Sequence, residues 1–240
     1  MPYQALDFLE SSFDSHEYER TRAFYEEYIR FGGFPEVALL SSDEEKKDML
    51  NDIINSYISV DIKTLSDFKS SDSLYRLLKM LASRAGTKLD CAKLSRLTGL
   101  SRLTVKNYID LFEQTYLIAR VYVHTHNRDR EIVKAQKLYF SDNGLLNIFG
   151  NANSGVMFEN AVFTQLRHTG EVRYFSLKTG REIDFILNER VALEAKENPT
   201  ETDYRTLANL AKRADVSEYQ LIGRFFSPSF TNYIWGGMIR

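Results

Sequence analysis

The chain has 240 residues, 43% of them hydrophobic, which is enough to bury the core of one large domain or of two to three small ones. Its 31 basic and 33 acidic residues leave no apolar run near the ~18–20 residues that span a bilayer. The acidic N-terminus lacks the basic and apolar regions of a signal peptide, and the single cysteine, Cys91, excludes an internal disulfide. We therefore expect a cytoplasmic protein with no membrane segment.

Residues 1–66 are predicted to form a helical segment. The stretch "EYERTRAFYEEYIRFGGF" places apolar residues, Phe24, Tyr25 and Ile29 among them, near helical spacing and stops at two glycines. A later helix begins at Ser42 or Asp43, where a capping residue is followed by acids that suit the helix dipole.

Residues 67–150 have the pattern of a winged helix-turn-helix domain. After the helix "DSLYRLLKMLASRAG", two short helices in "LDCAKLSRLTGLSRLTVKNYIDLFEQ" are joined at Gly99, and Ser101 is placed to cap the second. Two strands around a basic loop follow, as in a winged helix. The buried stripe of the second short helix is predicted to be Val105, Tyr108, Ile109 and Phe112.

The outer side of this domain is a candidate nucleic-acid surface. Residues 84–137 carry eleven Lys and Arg against five Asp and Glu, and phosphate contacts require such clustered cations. The predicted contacts with duplex DNA are Arg102, Lys106 and Asn107 on the second helix and Arg128 and Arg130 in the loop. Two alternatives stay open, a solvated basic surface and a protein–protein interface, since winged helices also serve as interaction modules.

Residues 151–240 change to a mixed α/β pattern. "GVMFENAVFTQLRHTG" predicts a helix, and "EVRYFSLK", "REIDFIL" and "VALEAK" predict three short strands. A helix in "ETDYRTLANLAKRAD" and strands in "EYQLIGRF" and "NYIWGGMI" follow. The order α-β-β-β-α-β predicts a small sheet flanked by helices, so the fold class of the chain is mixed α+β.

The second and third of these strands gather acidic residues. Because side chains alternate along a strand, Glu182 and Asp184 are predicted on one face and Ile183 on the other. A three-residue turn then sets Asp184 opposite Glu194 and Glu182 opposite Lys196. Opposed residues have Cβ atoms about 4.5–5.5 Å apart, so the two carboxylates repel unless a cation compensates them.

A divalent metal site is the functional interpretation of this arrangement. Mg²⁺ or Mn²⁺ takes carboxylate oxygens, so Asp184 and Glu194 would hold the ion, with Glu159 on the preceding helix completing the site. Lys196 would orient a water and stabilise charge during attack on a phosphodiester. The alternative is a Glu182–Lys196 ion pair across the strands, with Asp184 and Glu194 facing water.

The motifs "SDNGLLNIF", "FENAVFTQL", "REIDFIL" and "LEAK", in this order, resemble the C-terminal half of a bacterial and archaeal AAA+ ATPase family. Those proteins carry a winged helix followed by a PD-(D/E)xK restriction-endonuclease-like domain, and "YIRFGGFPEVAL" is similar to the helical segment after their ATPase core. By this resemblance Asp184, Glu194 and Lys196 match the D…ExK core and Glu159 matches the leading helical acid. Ile183 stands in place of the proline of the motif.

The resemblance implies a helical segment over residues 1–66, a winged helix over 67–150 and a Mg²⁺- or Mn²⁺-dependent nuclease-like domain over 151–240. No G-x-x-x-x-G-K-[ST] phosphate loop is present in the sequence. The ATPase domain implied as a partner would therefore lie outside these residues, and the chain would not bind ATP alone. The alternative is a non-catalytic DNA-binding or protein-interaction module of such an ATPase, with a degenerate nuclease fold.

Overall fold

The protein is described by a computed structural model over residues 13–58, 71–125, 136–150 and 152–239. Within these residues the fold is mixed α/β, with nine α-helices and two β-sheets. The described residues form two compact units. Among the described residues, the first unit draws on 13–26, 121–125, 136 and 161–239, and the second on 27–58, 71–120, 137–150 and 152–160.

The part of the chain up to residue 150 is mainly helical, and its local signals explain where the helices begin. Ser42 caps its helix reciprocally with Glu45, Ser101 accepts a hydrogen bond from the Thr104 amide, and Gly99 adopts the left-handed φ of 74° that ends a helix. The elements are α1 (Ser15–Phe31), α2 (Pro35–Ala38), α3 (Asp43–Tyr57), α4 (Ser71–Ala82), α5 (Cys91–Thr98), α6 (Arg102–Gln114), β1 (Ile118–Val121), β2 (Lys137–Phe140) and α7 (Asn143–Phe149).

Hydrophobic periodicity predicts part of the buried face of these helices. In α6, Val105, Ile109 and Phe112 are buried as expected, whereas Tyr108 is only half-buried. In α1, Phe24 is exposed, although it lies near helical spacing with the other apolar residues. The adjacent Tyr25, a rotation of about 100° around the helix, is the residue that is buried. None of the described helices has the length and apolar character needed to cross a membrane.

A buried amide network holds the second unit together. Asn143 donates hydrogen bonds to the carbonyl oxygens of Ile29 and Met157, both at 2.8 Å, and accepts one from the Asn160 amide at 2.8 Å. The backbone N–H of Phe140 donates in turn to the Asn160 side chain at 2.8 Å. Both asparagines are fully buried, and the bond from Asn143 to Ile29 joins residues that are 114 positions apart in sequence.

Asp142 and Gly144, which flank Asn143 in the motif "SDNGLLNIF", also have structural roles. Asp142 accepts hydrogen bonds from the amides of Gly144 and Gly33, each at 2.7 Å, so it caps α7 and anchors the chain beyond α1. Burial raises the pKa of Asp142, and these amide donors partly offset that effect. A Cβ at Gly144 would lie only 2.2 Å from the carbonyl oxygen of Phe31, which requires glycine there.

Replacing Asn143 with alanine is expected to destabilise the protein by about 2 kcal/mol. The change leaves the carbonyls of Ile29 and Met157 buried without this donor, and it removes the acceptor of the Asn160 amide. Urea unfolding followed by circular dichroism measures the loss, with an unchanged m-value indicating an unchanged fold.

The matched control for this prediction is Asn51→Ala on α3. Asn51 is exposed and donates one hydrogen bond, to the Lys47 carbonyl, so its removal should cost less than about 0.5 kcal/mol. Equal losses for the two variants would contradict a structural role for the buried network.

The first unit is built on a five-stranded sheet with a helix against each face. Strand order is β3-β4-β5-β6-β7, with β3–β4 and β4–β5 antiparallel and β5–β6 and β6–β7 parallel. Along the chain, the helices and strands of this unit follow the order predicted from the sequence. The elements are α8 (Ser154–Thr169), β3 (Val172–Ser176), β4 (Glu182–Leu187), β5 (Val191–Lys196), α9 (Glu201–Arg213), β6 (Glu218–Gly223) and β7 (Ile234–Trp235), followed by a 3₁₀ turn at Gly236–Met238.

Aromatic and aliphatic residues fill both sides of this sheet. Phe163 of α8 stacks on Phe185 of β4, with ring centroids 6.5 Å apart. On the opposite face, Leu207 of α9 is one of a cluster of buried residues against the central strands. Trp235 is buried, and the ring of Tyr25 meets it edge-on at 5.4 Å.

Candidate active site

A β-hairpin places the candidate catalytic residues. Strands β4 and β5 pair antiparallel through Leu187↔Val191 and Phe185↔Leu193, which leaves the three-residue turn expected from the sequence. The same register continued by one residue sets Asp184 against Glu194. The predicted register of this hairpin is therefore confirmed.

On its other edge β4 contains a bulge at the site. Strand β3 pairs with β4 through Arg173↔Ile186 and Phe175↔Ile183, so two residues of β4 stand opposite a single residue of β3. Asp184 is one of these two residues. A bulge locally re-aims side chains and is common beside active sites, so the irregularity affects the position of this carboxylate directly.

The bulge also overturns one prediction about side-chain faces. Ile183 was expected opposite the face of Ile186, but both residues belong to one buried cluster together with Ala192. The extra residue between them reverses the alternation, so Ile183 and Ile186 pack against the same layer. Strict alternation along β4 is therefore wrong at Ile183.

The two acids interlock across the hairpin. The amide N–H of Asp184 donates to Glu194 Oε2 at 3.3 Å, and the amide of Ala195 donates to Asp184 Oδ2 at 3.2 Å. Each carboxylate thus binds backbone of the opposite strand, and Lys196 Nζ lies 2.9 Å from Glu194 Oε1. These contacts bring Asp184, Glu194 and Lys196 together, as the sequence predicted.

The burial of the two acids differs from the alternative in which both of them face water. Asp184 is 9% exposed and the Glu194 side chain 16%, so neither faces water. The ammonium of Lys196 contacts Glu194, the neighbour two residues before it on β5. The arrangement of a Glu182–Lys196 pair beside two solvated acids is not the one observed.

Electrostatics at the site reflect a carboxylate that lacks full compensation. Burial, and then the negative charge of Asp184, raise the pKa of Glu194 to about 7. The Lys196 ammonium and the Asp184 amide lower it again, but less strongly. Burial lowers the pKa of Lys196, yet the charge and hydrogen bond of Glu194 outweigh burial and hold that pKa above its usual value. Lys196 therefore stays cationic, and Glu194 titrates near neutral pH.

A pocket of about 250 Å³ opens onto Glu194 and Lys196, whereas Asp184 is not one of the residues that line it. Glu194 and Lys196 line it together with Glu182, and α9 contributes Asp203 from its first turn. Asp203 forms a capping box with Thr200, which fixes its position. Asp203 was not predicted as a site residue; the T-x-x-D pattern at the start of α9 is the sequence signal that marks it.

Glu159 lies in the second unit, where it has structural partners. Its Oε1 accepts a hydrogen bond from the Tyr139 hydroxyl at 2.7 Å and lies 3.8 Å from the Nζ of buried Lys137. In the part of the chain that the structure describes, no three or more His, Cys, Asp and Glu side chains are grouped to hold one ion. The role of Glu159 as a third metal ligand stays a prediction.

The candidate nucleic-acid residues on α6 lie at the surface. Arg102, Lys106 and Asn107 are all exposed. Arg128 and Arg130 lie outside the described residues, so their predicted role is unchanged by the structure.

Comparisons with known proteins find relatives in an archaeon and a bacterium. An uncharacterized protein of Haemophilus influenzae is 28% identical over 194 residues, covering 75% of this chain and 48% of that protein. The uncharacterized protein MJ1544 of Methanocaldococcus jannaschii is 26% identical over 175 residues, covering 68% and 39% respectively. The chain thus spans less than half the length of these two relatives, and no solved structure matches it.

A family model supplies the assignment that pairwise identity does not. The model describes a domain of unknown function, DUF8612, and it matches residues 22–155. The match includes Asn143 and all of the residues predicted to contact DNA, but it ends before Met157 and Asn160 of the amide network. Because it covers more than half of the chain, the chain belongs to the DUF8612 family.

Proposed function

We propose that the pocket beside Glu194 binds a divalent cation and hydrolyses phosphodiester bonds in nucleic acid. The observation that carries this proposal is the buried pair Asp184 and Glu194, interlocked across a hairpin with an ammonium 2.9 Å from one of them. Two adjacent buried carboxylates repel, and the pKa of about 7 at Glu194 records that repulsion together with desolvation. A bound cation would remove it.

The donor chemistry fits Mg²⁺ or Mn²⁺. These ions prefer carboxylate oxygens, and Mg²⁺ is commonly held by one or two carboxylates with waters and substrate phosphates. Asp184 and Glu194 would hold the ion. The ion, when bound, would polarise the phosphoryl oxygen and lower the pKa of a coordinated water.

Lys196 is the residue of this chain that acts on the reacting phosphate. Its pKa is raised, so it is cationic at neutral pH and can donate hydrogen bonds to a phosphate oxygen as negative charge builds there. Its contact with Glu194 aims the ammonium into the pocket. Asp203, also on the pocket wall, contributes to the field that keeps Lys196 charged.

The wider architecture that we propose is a winged helix and a PD-(D/E)xK-like domain from the C-terminal part of an AAA+ ATPase. The order α4-α5-α6-β1-β2, with Lys88 bridged antiparallel to Lys137, is compatible with a winged helix. The coverage of relatives leaves room for a further domain in them, since this chain aligns with only 39% and 48% of their lengths. ATP binding would belong to that further domain.

Purified protein with Mg²⁺ or Mn²⁺ is expected to nick or degrade nucleic acid, and addition of EDTA is expected to stop the reaction. Supercoiled plasmid and labelled single strands, resolved on gels, provide the assay. Intact substrates, combined with no Mg²⁺ binding by calorimetry, would exclude the nuclease. Metal-independent binding of DNA by the same protein would then favour the non-catalytic module.

We expect α6 to contact duplex DNA through Arg102 and Lys106. Charge reversal of both residues to glutamate should weaken low-salt binding of duplex DNA at least ten-fold and lower the salt slope by about 1 to 2, because about 0.9 is lost per phosphate contact. Fluorescence anisotropy at several salt concentrations measures both quantities. The matched control reverses Arg20 and Arg22 of α1, which are exposed and paired with Glu17 and Glu19. Equal effects in the two variants would indicate a general charge effect and no specific contact.

A further inference from the structure

The pocket lined by Glu182, Glu194, Lys196 and Asp203 is called the acidic pocket here. A second concavity in the first unit, about 440 Å³ in volume, adjoins it. The two share three wall residues, Arg181, Thr206 and Leu210, and are therefore continuous. The second concavity adds Asn209, Lys212 and Arg213, all on α9. We call it the basic groove. The charged residues on its wall are cations, whereas carboxylates line the acidic pocket.

The cations of the basic groove are exposed and have no carboxylate within ion-pair distance in the described part of the chain. Arg181, Lys212 and Arg213 all lie on the surface. This separates them from Arg205, on the same helix, whose charge is engaged by Glu201 at 3.0 Å. Three unneutralised cations around one concavity favour an anionic ligand.

The helix dipole accounts for only part of this cluster. Cations in the last turn of a helix are favourable, which suits Lys212 and Arg213 at the end of α9. Arg181 comes from a different element, the hairpin turn before β4, where its carbonyl accepts a hydrogen bond from the Leu177 amide. Its presence in the same groove is unrelated to the dipole.

Helix α9 connects the two sites along its length. Its first turn supplies Asp203 to the acidic pocket, and its last turn supplies Arg213 to the basic groove. Ten residues of α-helix rise about 15 Å, and this length covers the acidic pocket and the basic groove together. A strand that crosses both sites would therefore place more than one phosphate along α9.

We propose that the basic groove binds the sugar-phosphate backbone of the single nucleic-acid strand that is cut in the acidic pocket. This inference rests on the proposed nuclease function and names its substrate class and path. A single strand is favoured because the acids are recessed, so the scissile phosphate must bend into a narrow pocket. The wall residues offer cations, a hydroxyl and an amide but no aromatic ring, so binding would be through phosphates and independent of base sequence.

The test uses the full chain carrying Arg102→Ala and Lys106→Ala, which removes the predicted duplex contacts on α6. Two proteins are made in this background. The groove variant carries Arg181→Ala, Lys212→Ala and Arg213→Ala, and the control carries Arg205→Ala. Binding of fluorescein-labelled oligothymidylates of four to twelve nucleotides is measured in EDTA by anisotropy. The groove variant should bind at least ten-fold more weakly, with a salt slope lower by about 2, because single strands lose about 0.7 per contact. The control should change binding less than two-fold.

Equal binding by the groove variant and the control would overturn the proposal. So would groove-dependent binding that is tighter for a duplex than for the single strand, or equal competition by polyglutamate at matched charge. The outcome is separable from that of the nuclease. Loss of binding in the groove variant of a protein that cleaves nothing would support the groove and reject the catalytic function, whereas cleavage with an unchanged KM would do the reverse.

Discussion

Asp184→Asn is expected to lower the rate of Mg²⁺-dependent cleavage about 1000-fold, equivalent to about 4 kcal/mol of transition-state stabilisation. The asparagine oxygen can still accept the hydrogen bond from the Ala195 amide, so the hairpin should keep its geometry. What disappears is the negative charge that would hold the cation. The cleavage rate is measured on a labelled single-stranded substrate. The affinity for Mg²⁺ is measured by calorimetry in the absence of nucleic acid.

The control for this experiment is Asp215→Asn, which makes the same chemical change away from the β4–β5 hairpin. Asp215 is exposed after α9 and has a φ of 58°, a conformation that asparagine also adopts readily. It should leave cleavage and Mg²⁺ affinity unchanged. If Asp184→Asn retains wild-type cleavage and Mg²⁺ binding while unfolding at the same urea concentration, Asp184 is not a metal ligand.

Part of the site was predictable because local chemistry fixes it. A short turn between two alternating strands leaves few possible registers, and the one with Asp184 against Glu194 follows from the turn length. The helix starts were equally local: Ser42 and Ser101 each satisfy amides within their own first turn. Such features depend on residues close in sequence, so the sequence specifies them directly.

The bulge in β4 was not predictable in the same way. It arises from how β3 pairs with β4, where one residue of β3 faces two of β4. No residue in "REIDFIL" marks the position, since it has neither glycine nor proline. The packing of Ile183 with Ile186 and the aim of Asp184 both depend on this pairing.

The motif residues that suggested a family have structural explanations of their own. Asn143 and Asn160 complete a buried amide network, and Asp142 and Gly144 anchor α7 to the chain after α1. Their partners lie far away in sequence, so spacing alone could not reveal these roles. Motifs of this kind report the fold of the second unit, whereas the chemical hypothesis depends on the hairpin.

Glu194 connects the electrostatics of the hairpin to a measurable property of the whole protein. Its pKa is about 7 in the folded state, against 4.5 for the unperturbed group. Between these two pH values the folded protein keeps a proton that the unfolded chain has lost, so stability falls as the pH rises. The full loss, reached above pH 7, is about 3 kcal/mol, at ~1.36 kcal/mol for each unit of pKa.

Glu194→Gln should therefore be more stable than the wild type at pH 8, by up to about 3 kcal/mol, and nearly equal to it at pH 4.5. The amide does not ionise, so burial and Asp184 no longer act against a charge. Loss of the contact with half-exposed Lys196 subtracts at most about 1 kcal/mol. Urea unfolding at pH 4.5, 6, 7 and 8 gives the difference at each pH.

The control is Glu189→Gln in the turn of the same hairpin, where the side chain is exposed and the stability difference should not vary with pH. Adding Mg²⁺ tests whether a bound cation relieves the repulsion between Asp184 and Glu194. At pH 8 a saturating concentration should stabilise the wild type, because the ion binds only the folded site, and should leave Glu194→Gln nearly unchanged. The prediction is contradicted if the stability of the wild type changes with pH in the same way as that of Glu194→Gln and does not respond to Mg²⁺. That result would show that Asp184 and Glu194 do not repel each other in the folded protein.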